Sequence, residues 1–213
     1  MFSTTDERGV PVVRDISGRA GAVSGVVASS FVLGAVTSFA QGFLPGVISS
    51  LANSASGWTI ITVLLLLGFR AAPLPSALLG AASFVLLTLG YTLASALRGH
   101  PYDPTLFCLV GVVVGPFVGL AAAWLRERDL RAALATAVLA GIAVGEAVYG
   151  LTVVADSTSP FYWTLIGLTG LGLAAWMVTR RLQTSLDITL ALGLTAVVAA
   201  GFLISYQNLG TVL

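Results

Sequence analysis

"GFLPGVISSLANSASGW", residues 42–58, decides how this sequence is read. It carries four serines, one asparagine, one proline and no charge, and it stands between two strongly apolar stretches. Taken alone it is a polar loop, but its position argues otherwise. From Trp58 to Phe69 only twelve strongly apolar residues precede Arg70. As a helix they cover about 18 Å, against a hydrocarbon core about 30 Å thick. A crossing helix must therefore recruit about eight more residues from "SLANSASG". Part of the stretch is expected inside the membrane, as helix. There Gly46, Ser50, Asn53, Ser54 and Gly57 fall at i, i+4, i+7, i+8 and i+11, on one small, polar face. Such a face turns toward protein or a water-filled cavity rather than lipid. It either lines a ligand site or packs on a neighbouring helix, as Ser and Gly faces often do. Only "GFLPG" remains as a tight turn or a short re-entrant piece.

Composition supports this placement. The 213 residues are 57% hydrophobic and 9% charged, with a mean hydropathy of +0.98. Soluble domains carry about 25% charged residues, so the chain is read as an integral membrane protein with a single domain. A net charge of +1 without a basic run offers nothing to nucleic acid. All ten basic residues are arginine, which removes lysine Schiff bases and P-loop lysines. A single cysteine, Cys108, and a single histidine, His100, leave no disulfide, Cys-pair metal or redox motif, His–His zinc site or bis-histidine haem. No cofactor and no metal is expected.

Seven stretches reach or approach the length of a membrane span: about 20–41, 47–69, 76–97, 105–124, 132–154, 160–179 and 188–209. Residues 1–19 are expected to form a short polar cytoplasmic tail before the transmembrane domain 20–213. "SFA" before Gln41 resembles a signal-peptide cleavage site, but the long apolar run is read as an uncleaved first span. The arginines test the map. With the N-terminus inside, nine arginines fall on inner segments and only Arg98 on an outer one, a strong positive-inside bias. The fold class is thus all-α, a polytopic bundle of about seven helices with cytoplasmic N-terminus and extracellular C-terminus. Trp124 and Trp176 near inner ends, and Tyr102, Tyr162 and Trp163 near outer ends, read as interfacial anchors. Gly111, Gly115 and Gly119 on span four, and Ala137, Gly141 and Gly145 on span five, make small faces. The short loop between these spans suggests that they pack together there.

Glu146, in "AGIAVGEAVYGLTVV", is the sharpest polar signal. A central ionisable residue costs about 2.5–3.5 kcal/mol on insertion scales and marks a functional site unless it only bonds neighbouring helices. Tyr149 lies three residues on. Depth links other groups to it: Gln41, Ser50, Asn53, Ser54, Tyr91 and Tyr206 all fall in the outer halves of their spans. Gln207 and Asn208 sit near the outer end of span seven, and His100 and Asp103 in an outer loop. The inner halves hold little comparable polarity. This pattern points to an outward-biased pocket. H-E-x-x-H, GxGD and DDxxD motifs are all lacking, so no enzyme is expected.

"GFLPGVISSLANSASGW", "GPFVGLAAAW" and "GEAVYG" together resemble a family of small actinobacterial multi-pass membrane proteins of unknown function. The resemblance implies no activity, ligand or site residue. Vitamin-uptake binding components are alike in architecture only. The expected function is that of a bacterial plasma-membrane transporter, or substrate-binding transport component, for a small polar molecule or a proton. Its ligand-binding residues would be Glu146, Asn53, Gln41, Tyr149, Ser50, Ser54 and Tyr91. The rival is a non-catalytic assembly subunit of a membrane complex. The partners implied are the bilayer, a small polar ligand or proton, and, in the rival reading, a membrane partner subunit.

Overall fold

The apolar stretches form helices whose ends follow their local chemistry. The computed structural model describes residues 13–70, 72–101 and 103–209, with side chains from Ala20 to Asn208. The helices are α1 Val13–Phe43, α2 Ala55–Phe69, α3 Pro73–Leu97, α4 Thr105–Trp124, α5 Leu130–Thr152, α6 Pro160–Arg180 and α7 Ser185–Leu209. A 3-10 helix, Ser49–Asn53, lies between α1 and α2, and the described residues hold no strand. Six of the helices are long and apolar enough to cross a membrane; α2, with 15 residues, is shorter. The chain is therefore a polytopic membrane helix bundle. Residues 1–12, the first part of the expected tail, and Tyr102 lie outside the described residues, while α1 already begins at Val13.

Pro73 and Pro160 open their helices, where the missing N–H would have had no intrahelical partner. Asp129 accepts from Arg131 N at 2.9 Å to start α5, and Asp103 accepts from Thr105 N and Oγ1 to start α4. Those two bonds hold the exposed Asp103 carboxyl below its ordinary pKa. α2 ends at Arg70, in the left-handed region at φ 49°, and its N–H returns to Leu66 O at 3.1 Å.

α3 packs between α1 and α4, and α5 packs against α6 and α7. The α4–α5 contact and the short α2 join these two groups. Small residues allow the close approaches, though not between the partners expected. Gly111 and Gly115 seat the backbone of α3, where an added Cβ at Gly115 would meet Ala81 Cα at 2.7 Å. Gly119 meets Ser76 and Ala77 of the same helix. On α5, Gly141 and Gly145 receive α7: their added Cβ atoms would meet Val198 Cβ at 2.6 Å and Ala199 O at 2.7 Å. The expectation that these two faces meet is corrected, because the α4 face is taken by the preceding helix, α3, and the α5 face by α7, the second helix after it. α4 and α5 are still in contact.

Polar glue joins α1, α2 and α3. Ser30 Oγ donates to Ser83 Oγ at 2.9 Å, and Thr62 Oγ1 shares a 2.9 Å bond with the same Ser83 Oγ. All three residues are fully buried. At the arginine-rich end, Arg126 Nη2 donates to Leu67 O at 2.7 Å and Arg181 Nη1 to Arg126 O at 3.3 Å. These bonds tie the close of α2 to the α4–α5 and α6–α7 loops.

Candidate functional site

The opening stretch does enter the bundle, but not as one continuous helix. Residues 49–53 wind as a 3-10 helix, Ser54 is extended at φ −120°, ψ 142°, and α2 begins at Ala55. The expected single face of Gly46, Ser50, Asn53, Ser54 and Gly57 is therefore corrected. Ser54 and Gly57 are buried, while Gly46 and Asn53 are exposed. The break has a local cause: serine and asparagine side chains compete with the backbone for helical hydrogen bonds and favour caps.

A helix that begins inside the bundle exposes its first amides where water cannot serve them. Here each has a partner. Ala55 N donates to Glu146 Oε1 and Ser56 N to Glu146 Oε2, both at 2.7 Å. Gly57 N donates to Ser54 Oγ at 2.8 Å, and Trp58 N to Ser54 O at 3.1 Å. The Ser54 hydroxyl also bonds Tyr162 Oη. Glu146, 3% exposed, thus caps another helix, where the dipole favours a negative group. Glu146 precedes the end of α5 by six residues, so α2 starts about 9 Å below that end.

Beside this broken helix lies a cavity of about 1080 Å³. Of the seven expected site residues, six line it: Gln41, Ser50, Asn53, Ser54, Tyr91 and Tyr149. Glu146 does not; the backbone it caps, at Ala55, forms the wall instead. Both its oxygens are occupied by the α2 amides, so direct ligand contact by Glu146, expected from sequence, is not the geometry found. Tyr206 also lines the cavity, and its ring stacks on Phe202 at 4.2 Å and meets Tyr149 edge-on at 5.5 Å. His100, Asp103, Gln207 and Asn208 are exposed and take no part in the wall.

Tyr91 Oη donates to Gln41 Oε1 at 2.7 Å, fixing both polar groups at the rim. Trp58 stands 6.1 Å from the Tyr91 ring. Its Nε1 is buried without a hydrogen-bond partner, although the residue lines the cavity. The deepest wall residues include Phe117, Val138 and Val198. Val138 lies 14 residues before the end of α5, about 21 Å along it. The wall is polar at the end away from the arginines and apolar toward the middle. Among the described residues, no acidic, lysine, arginine or histidine side chain lines it.

Sequence reasoning missed Tyr162 and Trp163, taken as interfacial anchors. They are 2% and 5% exposed. Tyr162 serves the α2 cap, and Trp163 lines the cavity while its Nε1 donates to Thr158 Oγ1 at 2.8 Å. Both rings lie two to three residues into a helix opened by proline, where an anchor and an inward group look alike. Trp176 does remain exposed, with Arg181 over its ring at 5.4 Å.

Fold and cavity define the class: a membrane-spanning helical bundle, closed by arginines at one end, with a deep cavity rising to the other. Within that class, the chain belongs to the DUF6518 family of unknown function, whose profile matches residues 14–211. No curated protein and no solved structure matches the chain.

Proposed function

We propose that this protein is a membrane-embedded binder, or binding component of a transporter, for a small neutral molecule. The observation that carries this is the cavity of about 1080 Å³, polar at its rim and apolar at depth. Ligand pockets of about 300–1,000 Å³ share that make-up, mostly apolar with a few placed polar groups. In this reading Gln41, Ser50, Asn53, Tyr91 and Tyr149 orient the ligand. Glu146 and Ser54 are positioning residues that hold the start of α2 in the wall. A helix start at this depth is also a feature of transporter substrate sites. The arginine distribution supports an N-terminus in the cytoplasm, a C-terminus outside and a site facing outward from a bacterial plasma membrane. The lysine-free, arginine- and alanine-rich composition supports an actinobacterial source.

The Glu146 cap alone would serve an assembly subunit equally well; the cavity favours binding. The test is thermal denaturation of the purified protein against a panel of neutral polar and amphipathic compounds. At least one should raise Tm in the wild type and fail to do so in Ser50→Trp, which fills the rim. Uptake of that compound into proteoliposomes then separates transport from binding. If no compound stabilises the protein and it isolates only with a second subunit, the assembly role replaces this one.

A further inference from the structure

The cavity wall is incomplete on one side. On α4, Leu109, Val113 and Phe117 recur at every fourth residue and line the cavity, yet they are 60%, 64% and 57% exposed. Residues that both line a cavity and lie on the outer flank of a helix mark an opening through that flank. They stand four to twelve residues into α4, about 6–18 Å below its end, at hydrocarbon depth. From α7 the same cavity takes Val198, Gly201 and Phe202. A Cβ added to Gly201 would meet nothing within 4 Å. Among the described residues, α4 and α7 share no extended packed interface. The cavity therefore opens sideways, through a slot between α4 and α7, into the bilayer.

The slot and the rim differ in chemistry along the membrane normal. Phe117, Val114 and Val198 form the deep part, and Gln41, Asn53 and Ser157 the rim. That gradient parallels a lipid with its head outward. The absence of ionisable acidic or basic side chains from the described wall selects against a charged head, which would be desolvated without a counter-charge. We infer that the ligand is a neutral lipid amphiphile with an oxygen-bearing head, entering sideways from the bilayer between α4 and α7. Its chain lies along Leu109, Val113 and Phe117, and its head meets the rim at Gln41, Asn53 and Ser157. This rests on the binding role proposed above and names the class of ligand for the same site.

The test uses the full chain in detergent, with three probes that share one chain: monooleoylglycerol, oleate and oleylamine. Native mass spectrometry and Tm are the readouts. Monooleoylglycerol should be retained one to one and raise Tm, with the charged probes weaker. Gly201→Phe from α7 and Val113→Trp from α4 each fill the slot and should weaken retention by more than about tenfold, the equivalent of about two buried methylenes. Both positions are exposed, so the pair covers failure of either variant to fold. Equal retention of all three probes, unchanged in both slot variants, would mean annular lipid and overturn the inference. A water-soluble compound that binds unaffected by the slot variants would overturn lateral lipid entry and leave the binding role standing. If no probe and no compound shifts Tm, both fall together.

Discussion

At the scale of single residues, the centre of this protein is a carboxyl group used as a helix cap. Glu146 accepts from Ala55 N and Ser56 N, and Ser54 accepts from Gly57 N. Glutamine at 146 would keep one acceptor and turn an NH₂ donor toward the other amide. Glu146→Gln should therefore destabilise the protein by about 1–3 kcal/mol, the usual cost of a buried unsatisfied group, read as a lower Tm in detergent. Ser54→Ala should cost about 1 kcal/mol, as for a lost N-cap. Tyr162→Phe should cost less, because Ser54 keeps its bond to Gly57. An unchanged Tm for Glu146→Gln would show that the cap contributes nothing to stability. Glu146 was legible in the sequence as a costly intramembrane group, since cost depends on residue type and depth. Its partner was not legible, because Ala55 and Ser56 lie 91 and 90 residues away and contribute backbone atoms, which every residue has.

At the scale of elements, glycine decides which helices can touch. Gly80 of α3 faces the backbone of Gly115 and Gly119 on α4, and Gly119 faces Ser76. Gly119→Leu would drive a side chain into the α3 backbone and should cost about 3 kcal/mol or more, beyond ordinary overpacking. Gly193 on α7 is exposed, and a Cβ there meets nothing within 4 Å. Gly193→Leu should be neutral or stabilising by up to about 1 kcal/mol through helix propensity. Parallel thermal melts of the two variants check the contrast; similar losses in both would remove the packing argument. The small-residue spacing showed that close contacts exist, because a missing Cβ is visible in sequence. Partner choice was not visible, since all four helices are apolar enough to span and their apolar faces compete for the same small-residue faces. The short apolar run of α2 was visible too. Its break at Ser54 was less so, because the same serines suit a helix face or a cap.

At the scale of the whole molecule, the arginines of the α2–α3, α4–α5 and α6–α7 connections lie at the end opposite the cavity, and Arg98 alone among the described arginines lies at the cavity end. Orientation can be read by labelling with a membrane-impermeant maleimide in a Cys108→Ser background. Asp156→Cys, exposed in the α5–α6 loop, should react in intact cells, and Glu127→Cys, exposed in the α4–α5 loop, only after permeabilisation. The reverse pattern would invert the bundle and place the cavity toward the cytoplasm. Composition and hydropathy by themselves determined that the chain lives in a membrane as a bundle of helices. Unpaired backbone in hydrocarbon leaves only helices and closed barrels, and continuous apolar runs of about 20 residues fit helices. They also determined that its intramembrane polarity gathers at one end, because depth follows from position along a span. Only the tertiary structure decided that Glu146 supports the cavity wall instead of forming it, that Tyr162 and Trp163 turn inward, and that α4 and α7 both line the cavity without an extended packed interface. Each of these depends on which helices become neighbours, and that choice is made by side-chain fit between segments far apart in sequence.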